Sequence, residues 1–125
     1  MLSFSAPVRV LVVDDEPFNL EIIREYLDGQ GFELTMANDG AEAWALLEDV
    51  ESRFDLLVLD QMMPRLDGME VLRRVRRTPR LSGLPVIMQT AAATPDQVRE
   101  GLEAGARYYL TKPYEPDALL AIVKS

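Results

Sequence analysis

Asp14, Asp15 and Glu16 stand together at the end of one apolar run, and Asp60 closes another, Leu56 to Leu59. If those runs are neighbouring strands, three or four carboxylates converge on one crevice. Two carboxylates ~4 Å apart repel by about 1 kcal/mol in water and about 4 kcal/mol at an effective surface dielectric, so the cluster calls for a cation. The chain has no His and no Cys, and oxygen ligands alone favour a hard ion such as Mg²⁺, held with several waters and often a phosphoryl oxygen. Asp14 or Asp15 acting as a cap for a helix near Pro17 is an ordinary alternative, but it leaves Asp60 unexplained. Thr90 ends a further apolar run and Lys112 follows another. Alone, each is an ordinary turn former or solvated side chain. Together, a metal, one amine and one hydroxyl can bind three phosphoryl oxygens while a carboxylate acts as nucleophile.

Five short apolar runs must position these groups: Val8 to Val13, Leu34 to Ala37, Leu56 to Leu59, Pro85 to Gln89 and Arg107 to Leu110. Their nearly continuous apolar character predicts parallel strands covered on both faces, the second more mixed and edge-like. Helical spacing lies between them: Ile22, Ile23, Tyr26 and Leu27; Ala43, Leu46, Leu47 and Val50; Val71, Leu72 and Val75; Val98 and Leu102; Leu119, Leu120 and Val123. Gly29 and Gly31 can end the first helix, Pro95 suits a first turn after Thr94, and Gly105 can close the fourth helix. The expected fold is α/β, a doubly wound five-stranded parallel sheet in the flavodoxin-like order 2-1-3-4-5 with helices on both faces. Ligands of such sheets bind beyond the carboxyl ends of the strands, here between the first and third.

At 125 residues the chain is expected to form one domain, residues 1–125. The net charge of −8 argues against direct nucleic-acid binding. The basic run Arg73, Arg74, Arg76, Arg77 and Arg80 reads as a solvated helix face and end. Lacking Cys, the chain has no disulfide, thiol catalysis or Cys-based zinc site. Lacking His, it cannot itself be a phosphohistidine donor. Met1 to Pro7 does not resemble a signal peptide and no run is long enough to span a bilayer, so a cytoplasmic location without membrane contact is expected. The end at Lys124-Ser125, inside an apolar helical pattern without a Gly cap, is what a piece of a larger regulator or hybrid kinase would show.

The chain strongly resembles the receiver domains of two-component response regulators along almost its whole length. The resemblance rests on Val10-Leu-Val-Val-Asp-Asp-Glu16, Leu56-Leu-Val-Leu-Asp-Gln-Met-Met-Pro64 with Asp67-Gly68, Thr90-Ala91, and Tyr109-Leu-Thr-Lys-Pro113. It implies that Asp60 accepts a phosphoryl group from a histidine kinase or phosphotransfer protein. Asp15, Asp60 and the main-chain carbonyl of Met62 would hold Mg²⁺, with Asp14 acting through water. Lys112 would pair with the acceptor and later with a phosphoryl oxygen, and Thr90 would donate its hydroxyl to another. Ala91 is small and leaves room for the group, and Lys112-Pro113 would be a cis peptide. Thr90 and Tyr109 would form the bistable element, changing the face of helix 4, strand 5 and helix 5 that an output domain or protein reads. The resemblance admits a homodimer, but Arg107 and Tyr108 depart from the acidic pair common in transcription-factor receivers. It implies no enzyme beyond self-phosphorylation and self-dephosphorylation. Met62 and Ala92, at positions that tune phosphoryl lifetime, cannot orient a water, so self-dephosphorylation is expected to be slow or moderate.

Three rivals are distinguishable. A Mg²⁺-dependent aspartyl phosphatase would carry Asp-x-Asp on its first strand and need a substrate cap. A flavodoxin-like cofactor carrier would need a hydroxyl- and glycine-rich loop in place of Asp14-Asp15-Glu16. A docking-only pseudo-receiver would have no use for the full set of site residues.

Overall fold

The computed structural model describes residues 7–63, 66–91, 94–112 and 116–124. Strands β1 (Val8–Val13), β2 (Phe32–Ala37), β3 (Leu56–Asp60), β4 (Val86–Thr90) and β5 (Tyr108–Thr111) alternate with helices α1 (Pro17–Leu27), α2 (Gly40–Glu48), α3 (Gly68–Arg77), α4 (Pro95–Glu103) and α5 (Pro116–Lys124). All strand pairs are parallel, and the sheet order is β2-β1-β3-β4-β5, as expected. Strands β3 and β4 are buried throughout, whereas edge strands β2 and β5 are only partly covered.

Alternation along the strands divides the core in two. Leu11, Val13, Leu57, Leu59, Val86 and Met88 pack with Ala43 and Leu47 of α2 and with Val71, Leu72 and Val75 of α3. Val10, Val12, Leu56, Val58 and Ile87 pack with Leu20, Ile23 and Leu27 of α1 and with Leu119 of α5. Helix α1 stops where Gln30 N–H donates to Leu27 and Gly29 takes φ +73°, a turn with glycine at its third position. Helix α4 begins at a Thr94–Gln97 capping box with Pro95 in the first turn. It ends at Gly105, φ +116°, with Gly105 N–H donating to Leu102 and Ala106 N–H to Gly101, a Schellman closure.

The structure corrects several expectations. Val50 lies past the end of α2 and is 71% exposed, and Leu102 is 43% exposed, so neither joins the core stripe assigned to it. Periodicity marks a face without showing that anything covers it. Strand β4 ends in Thr90, as expected, whereas β5 extends one residue further, to Thr111, and an unanticipated 3-10 turn spans Pro79–Leu81. The basic run is only partly a solvated face. Arg73, Arg74 and Arg77 surround Glu70, and Arg73 also reaches Glu100 of α4. Arg76, however, donates to the carbonyls of Ser82, Leu84 and Gly105, while Arg80 donates to those of Leu47 and Glu48 at the end of α2. These two guanidinium groups tie loops to helices. Among the described residues no helix is long and apolar enough to cross a membrane.

Candidate functional site

The carboxyl ends of β1 and β3 are adjacent because Val13 and Leu59 are in register. Asp14, the first residue beyond β1, is held by its N–H to the Ala37 carbonyl and by Glu16 N–H on its own Oδ1 (2.9 Å). Glu16, not an aspartate, is the N-cap of α1, and its side chain makes no capping bond. Asp14 and Asp60 are buried and Asp15 is exposed. One carboxylate oxygen from each of Asp14, Asp15 and Asp60 lies within 4.8 Å of the others. The acids that the sequence placed on two strand tips therefore do meet.

Lys112 follows β5, where its N–H bonds the Thr90 carbonyl. Its Nζ lies 2.5 Å from Asp14 Oδ2 and 3.4 Å from Asp60 Oδ2. Pairing with Asp60 was expected; the shorter contact is to Asp14. Asp60 Oδ1 accepts the Met62 N–H at 3.2 Å, while the Met62 side chain is 59% exposed. Thr90 is buried at the end of β4, and Ala91 beside it is exposed. Ala92 and Pro113 lie outside the described residues, as do Pro64 and the Met1 to Ala6 stretch, so the expectations placed there have no structural counterpart.

Burial pushes the Asp60 carboxyl from the ordinary 3.8 up to about 6; Lys112 opposes the shift, Asp14 adds to it, and the Met62 amide opposes it. For Lys112 burial works against the ammonium, but the bond with Asp14 and the charges of Asp60 and Asp14 prevail, and its pKa is raised. The site is thus a buried acid poised near neutrality beside a fixed positive charge.

Backbone around Asp60 is tightly enclosed. Gln61 N–H donates to Gln89, and Gly68 N–H donates to the Gln61 carbonyl. A Cβ on Gly68 would sit 2.2 Å from the Asp60 carbonyl oxygen, and one on Gly40 would sit 1.9 Å from that of Leu66. Only glycine lets α3 and α2 begin there.

Tyr109 is half-buried on β5, and its hydroxyl donates to Gln61 Oε1. Its ring rests on α4 at Gly101, where an added Cβ would lie 2.8 Å from Cε2. Burial first, then the charges of Asp60 and Glu100, raise the phenol's pKa. Sequence reasoning singled out Tyr109 but missed Gln61 and Gly101. A glycine inside an otherwise helical segment was a usable signal, since it gives up helix propensity that an alanine would keep; nothing distinguishes Gln61 from any polar residue after a strand.

Residues 10–124 match the sequence profile of the response regulator receiver domain. The chain is 43% identical over 119 residues to the response regulator MprA of Mycobacterium sp. (strain KMS), covering 95% of this chain and 50% of that protein. The chain therefore spans about half the length of this relative. It also resembles two solved structures: the chemotaxis response regulator CheY4 of Vibrio cholerae (TM-score 0.86, 32% identity, 94% of this chain and 97% of that one), and the receiver domain of Francisella response regulator 1452 (TM-score 0.85, 35% identity, 94% and 93%).

Proposed function

The chain belongs to the response regulator receiver domain family, and from that premise we propose that it takes a phosphoryl group onto Asp60 and passes the change to an output partner. The observation that carries this reading is the buried Asp60 carboxylate, with two further acids and the Lys112 ammonium around it. An Asp60 oxygen forms a bond to phosphorus as the P–N bond of a partner's phosphohistidine breaks. The electron pair leaves with the imidazole nitrogen, which takes a proton from solvent, and an acyl phosphate remains on Asp60.

The oxygen-only donor set, within 4.8 Å, fits a hard divalent cation. Asp15, Asp60 and the Met62 carbonyl would hold Mg²⁺, with Asp14 acting through water. When bound, Mg²⁺ supplies positive charge against the phosphoryl oxygens. The ammonium of Lys112, already between Asp14 and Asp60, binds one phosphoryl oxygen, the Thr90 hydroxyl binds another, and Ala91 leaves space. Thr90 and Tyr109 then act as the switch that alters the face of α4, β5 and α5.

On this reading the chain works in the cytoplasm with a histidine kinase or phosphotransfer protein on one side and an output domain or protein on the other. It performs only its own phosphorylation and dephosphorylation. Incubation with acetyl phosphate and Mg²⁺ should add one phosphoryl mass to the intact chain, and Asp60→Asn should abolish the increment. Catalytic turnover of a small phosphate ester would favour the phosphatase alternative.

A further inference from the structure

We propose that Gln61 is the positioning residue that latches Tyr109 against the β3 tip and α4 before any phosphoryl group arrives. The inference rests on the reading above, because only an acceptor at Asp60 gives the latch a signal to report.

Three observations converge. Gln61 is buried immediately after the acceptor, and its backbone is fixed on both sides, by its N–H to Gln89 and by Gly68 N–H on its carbonyl. Its side chain therefore projects from an anchored point. Its Oε1 accepts the Tyr109 hydroxyl, joining β3 to β5 across β4, where Tyr109 stands in register with Met88. One edge of the ring meets α4 where no side chain intervenes: Gly101 is the one buried residue of that helix, and an added Cβ would strike the ring at Cε2 and Cδ2, 2.8 and 2.9 Å away. Phenol and α4 are thus coupled through a glycine seat, and the phenol is held by an amide one residue from Asp60.

The mechanistic consequence differs from a switch in which the ring responds to Thr90 alone. Here the ring is already turned toward the β3 tip in the unphosphorylated chain, held by the Gln61 amide, whose backbone is anchored on both sides. Phosphorylation alters how firmly α4 seats on the ring, and the residue after the acceptor sets the resting population. An apolar residue at position 61 leaves a half-buried hydroxyl without its acceptor, which favours the ring swinging out to water.

Tyrosine-selective ¹³C labelling and NMR of the unphosphorylated chain reads the Tyr109 side-chain rotamer directly, with Tyr109→Phe assigning the signal. We expect one rotamer with slow ring flips in the parent chain, and averaged rotamers with fast flips in Gln61→Leu. An identical Tyr109 signal in both overturns the latch. A double-mutant cycle with Gln61→Leu and Tyr109→Phe, read by urea unfolding, should be non-additive; additive effects also overturn it. If Gln61→Leu does not fold, ring flipping in Tyr109→Phe, read with phenylalanine-selective ¹³C labelling, asks the same question from the donor's side: flips faster than those of Tyr109 in the parent chain support the latch, and equally slow flips overturn it. Acetyl phosphate labelling of the parent chain tests the receiver reading separately, so a missing mass increment and an unlatched tyrosine are distinguishable failures.

Discussion

On the proposed reading Asp60 meets two opposed demands: a nucleophilic carboxylate must be ionised, and burial penalises ionisation. Its folded pKa of about 6 lies above the ordinary 3.8. A raised carboxyl pKa contributes stability that is fully present below the unfolded value and lost as pH rises through about 6. At pH 7 without divalent cation the fold therefore carries the cost of that charge, and Asp60→Asn should stabilise it by about 1 to 3 kcal/mol. Urea midpoints of the two proteins, compared from pH 7.5 to pH 4, should converge as the solution is acidified. Lys112→Ala acts oppositely, leaving Asp14 and Asp60 facing each other without the ammonium, and should cost about 3 kcal/mol. Added Mg²⁺ should recover much of that loss in the same unfolding assay, because a bound divalent ion replaces the missing charge; no recovery would count against a cation site here. The acids, Thr90 and Lys112 were legible in the sequence because each is a polar group at the tip of an apolar run. The preference of Lys112 for Asp14 was not, since rotamers decide it.

Helix α4 has little of the apolar anchoring that holds α3. Only Gly101 is buried among its residues, whereas α3 buries Val71, Leu72 and Val75 among others. A helix so lightly attached is the one expected to respond to a change at the site. Gly101→Ala tests its seat. The substitution gains about 1 kcal/mol of helix propensity, but its methyl meets the Tyr109 ring. It should therefore destabilise the parent chain and stabilise a Tyr109→Ala background, a coupling of at least about 1 kcal/mol by denaturation. Additive effects would mean the ring does not rest there. Strand and helix order were readable from apolar runs and capping signals such as Thr94-Pro95 and Gly105. Val50 and Leu102 were misassigned for one reason: spacing locates a stripe, but coverage depends on what the rest of the chain brings to it.

Across the whole molecule, sequence-distant loops are fastened by arginines that composition alone presents as solvated charge. Arg76 satisfies the carbonyls of Ser82, Leu84 and Gly105, linking α3 to the segments that enter β4 and β5. Arg76→Met should cost about 2 to 3 kcal/mol through carbonyls left without donors. Arg76→Lys should not restore it, because an ammonium lacks the planar fork that reaches all three; thermal midpoints decide both points. Such clasps stay hidden in a sequence because the carbonyls they serve carry no side-chain signature.

Gly40 and Gly68 press two helix starts directly onto the main chain of neighbouring loop and strand, leaving not even a methyl's width for give. The half of the domain bearing α2 should behave like an anvil, receiving the blow of an added charge without travelling. Arg80 pins the far end of α2 as well. An immobilised biosensor built from this domain would best be tethered through the outer surface of α2, leaving the responsive side free to report.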